Sequence, residues 1–386
     1  MFLVFNKIRH LFITIMLFFF LFTTRNFVDI RIYKNYISLC KKSIKFYEGN
    51  EKNNKQPFFS ICIPVYNMEK YIETSLLSVL NQSFRDFEIV IVNDYSQDNS
   101  KKIIEKFQSE NSKIRLINHG NNLGVYKSRV DSIKNSKGNY IIFLDPDDII
   151  PNSNLLNHLN EYNFFYNEDI IEFTVIMYKE SYNKLYFPSN HRSNHFHNFH
   201  EHIIYNPNLS NILFFENSKY SDVFCRCIWN KMIRKEILFK TINFLGSRAY
   251  YKKHFDFAED TIINIVNFEF ASNYSNLHLI GYMYNIREES MSHSNKGKNM
   301  NLKMTYNLFF FYRLFHQYIK HFNKDLNYLY FDLKSFDYYL NYINHYNSSY
   351  SKKKPIIKFY KNLFKESNIS DEFKSYINKF LFNFAK

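Results

Sequence analysis

The sequence predicts an α/β protein in which a mostly parallel sheet is flanked by helices on both faces. From residue 58 onward, short apolar runs alternate with helical patterns of about 10–15 residues, which is typical of parallel strands joined by crossover helices. The apolar runs lack strict polar alternation, and this indicates strands that are buried on both sides. With 386 residues, 46% of them hydrophobic, the chain can bury a large core.

The elements are expected in a regular order after Pro57. Strands are predicted at 58–63, 87–92, 114–117 and 140–144, and helices at 69–80, after Asp98, and at 125–135. The Asp98 carboxylate is suited to cap the second helix because it can accept bonds from the free amides of a helix start. Further along, the pattern predicts helices at 229–239 and 260–270, a strand at 278–284, and aromatic helices beyond residue 301.

The N-terminal region contains a membrane signal. Residues 11–22 form an uncharged apolar run, which is shorter than the roughly 20 residues that a full span usually needs. Because no small-residue cleavage site follows, we expect residues 1–24 to be retained as a single-pass membrane anchor, with a signal segment and a buried core helix as alternatives. Basic residues on both sides leave the orientation open. The expected location is a membrane, of the Golgi or ER type in a eukaryote, and residues 25–57 are expected to form a stem or linker.

The net charge of +14 makes nucleic acid, an anionic membrane surface or a phosphate-bearing ligand the partners to consider. The basic residues are scattered, without a recognisable nucleic-acid module, so a nucleic-acid-binding protein is the disfavoured alternative and no nucleic-acid partner is expected. The four cysteines are too few and too irregularly spaced for a disulfide framework. Cys62, in the middle of an apolar strand, is expected to be a buried free thiol.

Polar segments follow three of the predicted strands. The first strand runs into 64–67, the second into 93–98 and the fourth into 145–148. The carboxyl ends of parallel strands meet at one edge of a sheet, and ligands of such proteins bind there. We therefore expect these three segments to line a ligand site.

Three carboxylates, those of Asp145, Asp147 and Asp148, crowd the last of these segments. Their mutual repulsion requires a compensating charge. Oxygen ligands suit Mg²⁺ or Mn²⁺, which commonly bind one or two protein carboxylates together with substrate phosphates. A turn in which the aspartates cap the following helix is the alternative interpretation.

Asp94 and Tyr66 add a second feature to the same edge. An acidic residue at a strand end can accept hydrogen bonds from the hydroxyls of a nucleoside. However, Asn93, Asp94 and Ser96 are also the residue types of an ordinary turn. The convergence of Tyr66, Asp94 and Asp147 on one sheet edge favours the ligand interpretation.

Residues 58–151 resemble the nucleotide-sugar-binding half of the inverting family 2 glycosyltransferases, which adopt the GT-A fold. The matching segments are 64–67 with Glu69, 78–82, 87–94 with Ser96 and Asp98, 122–124 with Arg129, 138–140, and 143–148 with Pro151. Looser matches are 229–231, Glu259 with Asp260, and Tyr284 with Arg287 and Ser290. The resemblance implies a nucleotide-sugar-binding half at 58–160 and an acceptor or catalytic half at 161–290, and it leaves 291–386 as a C-terminal helical appendage.

The resemblance also implies an activity. The family transfers a sugar from a nucleoside-diphosphate donor to a hydroxyl group with inversion, in a metal-dependent reaction. For this chain it implies a hexosyl- or N-acetylhexosaminyltransferase that uses Mn²⁺ or Mg²⁺. The implied partners are a nucleoside-diphosphate sugar, a UDP-sugar first among them, and a glycan, lipid or protein acceptor.

Individual site residues follow from the same resemblance. The implied nucleotide-sugar contacts are Pro64, Val65, Tyr66, Asn67, Glu69, Asp94, Ser96, Arg129 and Asp145. Asp147 is the implied metal ligand, with Asp145 beside it. Asp260 is the implied catalytic base, with Glu259 as the alternative, although acidic residues in the first turn of a helix also stabilise its dipole.

A catalytically inactive GT-A scaffold that binds nucleotide or glycan is the main alternative function. The retention of Asp94, Asp145, Asp147 and Asp260 together disfavours it. The sequence departs from the family pattern at two places: Tyr95 stands where the family most often has glycine, and an irregular insertion separates Asp147 from Asp260. Five histidines lie at 191–202 within this insertion, without the spacing of a zinc motif, and a solvated loop near the acceptor is expected there. The donor sugar and the acceptor are left open.

Overall fold

The computed structural model describes most of the chain between residues 56 and 287 and scattered positions beyond. The described residues are 56–179, 184–186, 204–205, 227–246, 255, 259–287, 307, 311, 314–322, 324, 358, 361–362, 365, 370–371, 374–375 and 378. The predicted anchor at 1–24, almost all of the predicted linker, and the histidine-rich segment lie outside them. Within the described part of the chain, no helix combines the length and the apolar composition that a membrane span requires.

Strands and helices alternate along the described residues. The strands are β1 Phe59–Val65, β2 Phe87–Asn93, β3 Ile114–Asn118, β4 Tyr140–Phe143, β5 Ile170–Lys179, β6 Lys184–Tyr186, β7 Ile204–Tyr205, β8 Lys231–Arg234 and β9 Asn273–Ile286. The helices are α1 Ile72–Leu80, α2 Ser100–Glu110, α3 Val125–Asn135, α4 Leu155–Tyr166, α5 Lys235–Gly246 and α6 Glu259–Phe270. The seven elements predicted between residues 58 and 144 are all present, with boundaries shifted by a few residues at most.

The strands form one mixed sheet in the order β3-β2-β1-β4-β8-β5-β9-β7, with β6 paired to β5. In its first half, β1 pairs in parallel with both β2 and β4, and β2 pairs in parallel with β3. This half is the parallel sheet that the sequence predicts. It places the carboxyl ends of β1, β2 and β4 side by side.

The expectation of a mostly parallel sheet is wrong for the second half. There, β8 runs antiparallel to both β4 and β5, while β5 pairs in parallel with β9. Strand β8 is only four residues long and leads directly into α5. Such a short strand shows no period of its own in the sequence.

The predicted helix at 229–239 therefore divides into the end of a loop, a strand and a helix. Apolar residues at 228, 229, 232, 233, 237 and 238 fit a helical period as well as the observed structure. The ten-residue strand β5 was not predicted, since a continuous apolar run does not separate a buried strand from a helix. The predicted helix at 260–270 and strand at 278–284 are confirmed as α6 and β9.

Most of the described core is one large cluster between the sheet and its helices, and a second, smaller cluster includes Ile149 and Met283. Strand β1 is buried along its whole length. Cys62 is fully buried in this core, as predicted, and burial raises the pKa of its thiol to about 12. Residues 314–321 are helical, and Phe315 and Ile319 of this helix belong to the large cluster. The wider helical region at 291–386 and the division into domains remain predictions.

Glu168, just before β5, is a buried carboxylate that should make stability depend on pH. Ser275 donates to its Oε1 at 2.8 Å, while its Oε2 is buried and has no hydrogen-bond partner among the residues that the structure describes. Burial raises the pKa of Glu168 from 4.5 to about 7. The folded state thus favours the protonated form, and this stabilisation is complete below pH 4.5 and is lost as the pH rises through 7.

Between pH 5 and pH 8, ionisation of Glu168 should lower the unfolding free energy of the wild type by about 2–3 kcal/mol. Glu168→Gln should not show this loss, because glutamine stays neutral throughout. Urea denaturation of both proteins at the two pH values measures this difference. Equal losses in the wild type and the variant would contradict the assignment.

Candidate functional site

Two loops at the carboxyl ends of β1 and β2 are bonded to each other. The amide of Asn67 donates to the Ser96 hydroxyl at 3.0 Å, and the Asn67 side chain accepts from the amide of Gln97 at 2.8 Å. Glu69 accepts from both the backbone and the side-chain amide of Asn99, each at 2.8 Å. These polar side chains therefore build one surface from two loops.

The two loops present aromatic side chains to solvent. Tyr66 is 43% exposed and Tyr95 is 48% exposed. Tyr95 has a φ angle of 64°, in the left-handed region where glycine is favoured, which explains why this position carries glycine in the family pattern. By contrast, the side chains of Pro64 and Val65 are buried in β1, so only their backbone atoms face the edge of the sheet.

Asp94 lies at the end of β2 and is 3% exposed. Its two carboxylate oxygens accept from the backbone amides of Leu123 and Gly124, both at 2.8 Å, and His119 lies 2.7 Å from Oδ1. Gly124 has a φ angle of 91°, a backbone conformation that favours a residue without a β-carbon. Asp94 thus fixes the loop before α3, and a direct nucleoside contact from it remains a prediction.

The acidic segment after β4 is a turn held by β9. The amide of Asp148 donates to the Asp145 carbonyl at 3.0 Å, with Pro146 at the position where β-turns favour it. The Asp148 carboxylate is 1% exposed and accepts from the Tyr282 hydroxyl at 2.6 Å and the Asn285 amide at 2.7 Å. Asp148 therefore anchors the turn from inside the protein.

Asp145 and Asp147 remain at the open side of this turn. Asp147 forms an ion pair with Arg287, and burial raises the pKa of its carboxyl while the Arg287 charge opposes the rise. The charge of Asp145 also raises this pKa. We refer to Asp145–Asp148 as the acidic turn.

Arg129 on α3 connects the acidic turn to α6. It is 3% exposed, donates through Nη2 to Asp145 at 2.9 Å, and forms an ion pair through Nη1 with Glu259. Burial raises the pKa of Glu259 to about 8, against the effect of Arg129. Arg129 is therefore a buried bridge between two carboxylates rather than a solvated surface residue.

Asp260 lies next to this bridge and is only partly buried. Burial raises the pKa of its carboxyl, and the charge of Asp145 raises it further. Within the described part of the chain, its hydrogen bonds come from Thr261 to Oδ1 alone, with the amide at 2.7 Å. Its second oxygen is available, whereas Glu259 is buried and committed to Arg129.

The residues of the acidic turn fit a hard divalent cation that a diphosphate helps to bind. No group of three or more His, Cys, Asp or Glu side chains is arranged for a metal among the described residues. A cation such as Mg²⁺ commonly needs only one or two carboxylates when it also binds substrate phosphates. Among the described residues, Asn285 Oδ1 at the strand end that holds the turn is a buried oxygen without a hydrogen-bond partner.

Sequence reasoning missed several residues of this arrangement. Tyr282 reaches the acidic turn from β9, and Arg287 reaches it from just after that strand. His119 joins Asp94 to Asp131, whose Oδ2 lies 3.0 Å from the second ring nitrogen of His119. These residues are distant in the sequence from their partners and show no local pattern. Arg287 alone had a signal, as a looser match within the family resemblance.

A cavity of ≈ 440 Å³ lies at the opposite end of the sheet, where β1 and β4 begin. Its lining includes Phe58, Tyr140, Arg234 and Lys235. Since ligands of parallel sheets bind beyond the carboxyl ends of the strands, this cavity is separate from the candidate site.

The chain is similar to known glycosyltransferases. Residues 60–240 match the model of the family described as Glycosyl transferase family 2. An uncharacterized glycosyltransferase of Haemophilus influenzae is 38% identical over 104 residues, which are 27% of this chain and 42% of that protein. EpsJ of Bacillus subtilis, also an uncharacterized glycosyltransferase, is 29% identical over 237 residues, or 61% of this chain and 63% of that protein. The chain spans less than two thirds of the length of either relative.

A solved structure resembles the fold. The crystal structure of S. aureus TarS 1–349 in complex with UDP-GlcNAc matches with a TM-score of 0.56 and 19% sequence identity, and the match covers 85% of this chain and 89% of that chain. The mixed sheet and its flanking helices are thus shared with a structure that holds a nucleotide sugar. The family match covers residues 60–240, which are 181 of the 386 residues of the chain, and the chain is similar to glycosyl transferase family 2 over that segment.

Proposed function

We propose that this protein is a metal-dependent, inverting glycosyltransferase that moves a sugar from a nucleoside-diphosphate donor to an acceptor hydroxyl. One observation carries the proposal: Arg129 bridges the acidic turn, where a diphosphate would bind, to the first turn of α6, where Asp260 lies. A single buried side chain thus connects the candidate site of diphosphate binding with the candidate base. The family match and the fold shared with a UDP-GlcNAc complex support the same activity.

The donor would bind along the carboxyl edge of the parallel strands. The exposed ring of Tyr66 offers an apolar face for a base, and the loops that carry Asn67, Glu69 and Ser96 supply polar groups beside it. Asp94 would shape this surface through the loop at 121–124. We expect a UDP-sugar because the fold neighbour was solved with one.

Asp147, with Asp145 beside it, would hold Mn²⁺ or Mg²⁺. When bound, such an ion supplies positive charge that offsets the charge growing on the departing diphosphate. Arg287 pairs with Asp147 and would supply a positive charge beside a bound phosphate. Arg129 keeps Asp145 in place from the opposite side.

Asp260 is the better candidate for the base. Inversion requires the acceptor hydroxyl to attack the anomeric carbon from the face opposite the leaving group, so a carboxylate must take its proton there. An oxygen of Asp260 is available for this step, whereas Glu259 holds Arg129. The raised pKa of Asp260 brings its basicity closer to the value that favours proton transfer at neutral pH.

The acceptor and the cellular location belong to the proposal as well. A glycan, lipid or protein hydroxyl remains the acceptor class, and residues 1–24 would attach the protein to a membrane. The apolar run at 11–22 supports this attachment.

A donor hydrolysis screen tests the function. The purified full chain is incubated with Mn²⁺ and UDP-, GDP-, dTDP- and CMP-sugars, and nucleotide release is measured with and without EDTA. We expect release from one diphosphate donor, its loss in EDTA, and none from CMP-sugars, which carry a single phosphate. If calorimetry with the same donors shows binding but no nucleotide is released, the inactive scaffold is supported. If the donors neither bind nor release nucleotide, both functions are contradicted.

A further inference from the structure

We propose that Tyr282 is a positioning residue whose hydroxyl sets the geometry of the acidic turn for the donor. Its ring is fully buried on β9, and its hydroxyl contacts both ends of the turn. The O–H donates to Asp148 Oδ2 at 2.6 Å, and the oxygen accepts from the amide of Asp145 at 3.2 Å. The inference rests on the proposed function, because it concerns the same site.

The hydroxyl acts at the two residues that define the turn. Asp145 begins the turn and carries a carboxylate at the open side, while Asp148 ends it and is enclosed by protein. A single group that accepts from the first residue and donates to the last fixes their separation. Asp147 lies between them, so its direction depends on the same two bonds.

The ring of Tyr282 is itself held in place. It stacks on Trp229 with a centroid distance of 4.5 Å and an interplanar angle of 25°, and Trp229 also stacks on Tyr284 at 5.6 Å. The backbones of Met283 and Ile149 exchange two hydrogen bonds, at 2.9 and 3.3 Å, so β9 and the segment after the turn are also joined directly. Removing the hydroxyl therefore leaves the ring and the strand where they are.

A positioning role predicts a defined consequence for the ligand. Groups that orient a metal ligand without touching the metal typically change metal affinity by about 10–100-fold when they are removed. We expect Tyr282→Phe to weaken binding of Mn²⁺ with UDP by a factor in this range.

Tyr274 provides a matched control on the same strand. It is 2% exposed, and its hydroxyl also meets a buried carboxylate, Glu172 Oε2 at 3.2 Å. Glu172 lies in β5, paired with β8 rather than with the acidic turn. Tyr274→Phe thus removes a comparable buried hydroxyl without touching the candidate site.

Two measurements on both variants test the inference. Hydrogen exchange of the Asp145 amide reports the turn directly, and calorimetry with Mn²⁺ and UDP reports the ligand. We expect faster exchange at Asp145 and weaker binding in Tyr282→Phe, with neither change in Tyr274→Phe. Unchanged exchange in Tyr282→Phe, or faster exchange with unchanged binding, would overturn the inference, as would equal effects in the two variants.

The same measurements separate this inference from the proposed function. If the wild-type protein binds no nucleotide under any condition, the proposed function fails and the role in donor binding fails with it. The exchange rate at Asp145 still decides whether the hydroxyl fixes the turn. If the wild type binds Mn²⁺ and UDP but Tyr282→Phe binds them equally well, only the inference fails.

Discussion

Asp147→Ala should lose most of the affinity for a nucleoside diphosphate together with the response to Mn²⁺. The carboxylate is the candidate metal ligand at the open side of the acidic turn, and the structure gives it one protein partner among the described residues, Arg287. Without this oxygen, the cation and the diphosphate lose a shared contact. We expect donor affinity in Mn²⁺ to fall by about 100-fold, or about 2.8 kcal/mol. Calorimetry with UDP, in Mn²⁺ and in EDTA, measures both effects.

A matched variant separates this effect from the simple loss of an ion pair. Asp169 pairs with Arg234 at 2.7 Å, remote from the acidic turn and partly buried. Asp169→Asn should lower the melting temperature while leaving UDP affinity unchanged. If Asp147→Ala bound UDP as tightly as the wild type in Mn²⁺, the assignment of Asp147 would be wrong.

Asp260→Asn should nearly abolish sugar transfer while sparing donor binding. A positioned general base typically contributes about 10²–10⁴ in rate, and asparagine cannot accept the proton of the acceptor hydroxyl. Because the hydrogen bonds that the structure describes for Asp260 come from Thr261 rather than from a loop after β1 or β2, UDP affinity should stay at the wild-type value. Steady-state kinetics with the donor found in the screen, together with calorimetry, measures the two quantities separately.

The competing explanation for Asp260 is stabilisation of the helix dipole. Glu236 occupies the first turn of the neighbouring helix α5 and is exposed, so Glu236→Gln removes a comparable dipole interaction outside the site. It should change stability by at most about 1 kcal/mol and leave turnover unchanged. A loss of donor binding in Asp260→Asn as large as its loss of turnover would argue against the role of base.

The parallel half of the fold was predictable because its signals are local. Each of β1 to β4 is an apolar run bounded by polar residues, and α3 begins and ends at the predicted residues, 125 and 135. The antiparallel half was not predictable in this way. The four residues of β8 are too few to show a period, and its pairing with β4 depends on residues far away in the chain.

The candidate site likewise has a part that local sequence signals predict and a part that they do not. The sequence predicted that Asp94, Asp145 and Asp147 lie at one edge of the sheet, because the carboxyl ends of parallel strands meet there. It could not reveal that Arg129 is bound by Glu259, which is 130 residues away, or that the Tyr282 hydroxyl meets Asp148 across 134 residues. Such contacts depend on how α6 and β9 pack, which no local pattern encodes.

Titration of the wild-type protein with UDP tests the central claim most directly, namely that the acidic turn binds a cation and a diphosphate together. We predict measurable UDP binding in Mn²⁺, much weaker binding in EDTA, and weak binding of UMP under both conditions because UMP lacks the second phosphate. Equal affinity for UDP and UMP, or UDP affinity that does not change when Mn²⁺ is removed, would contradict the account.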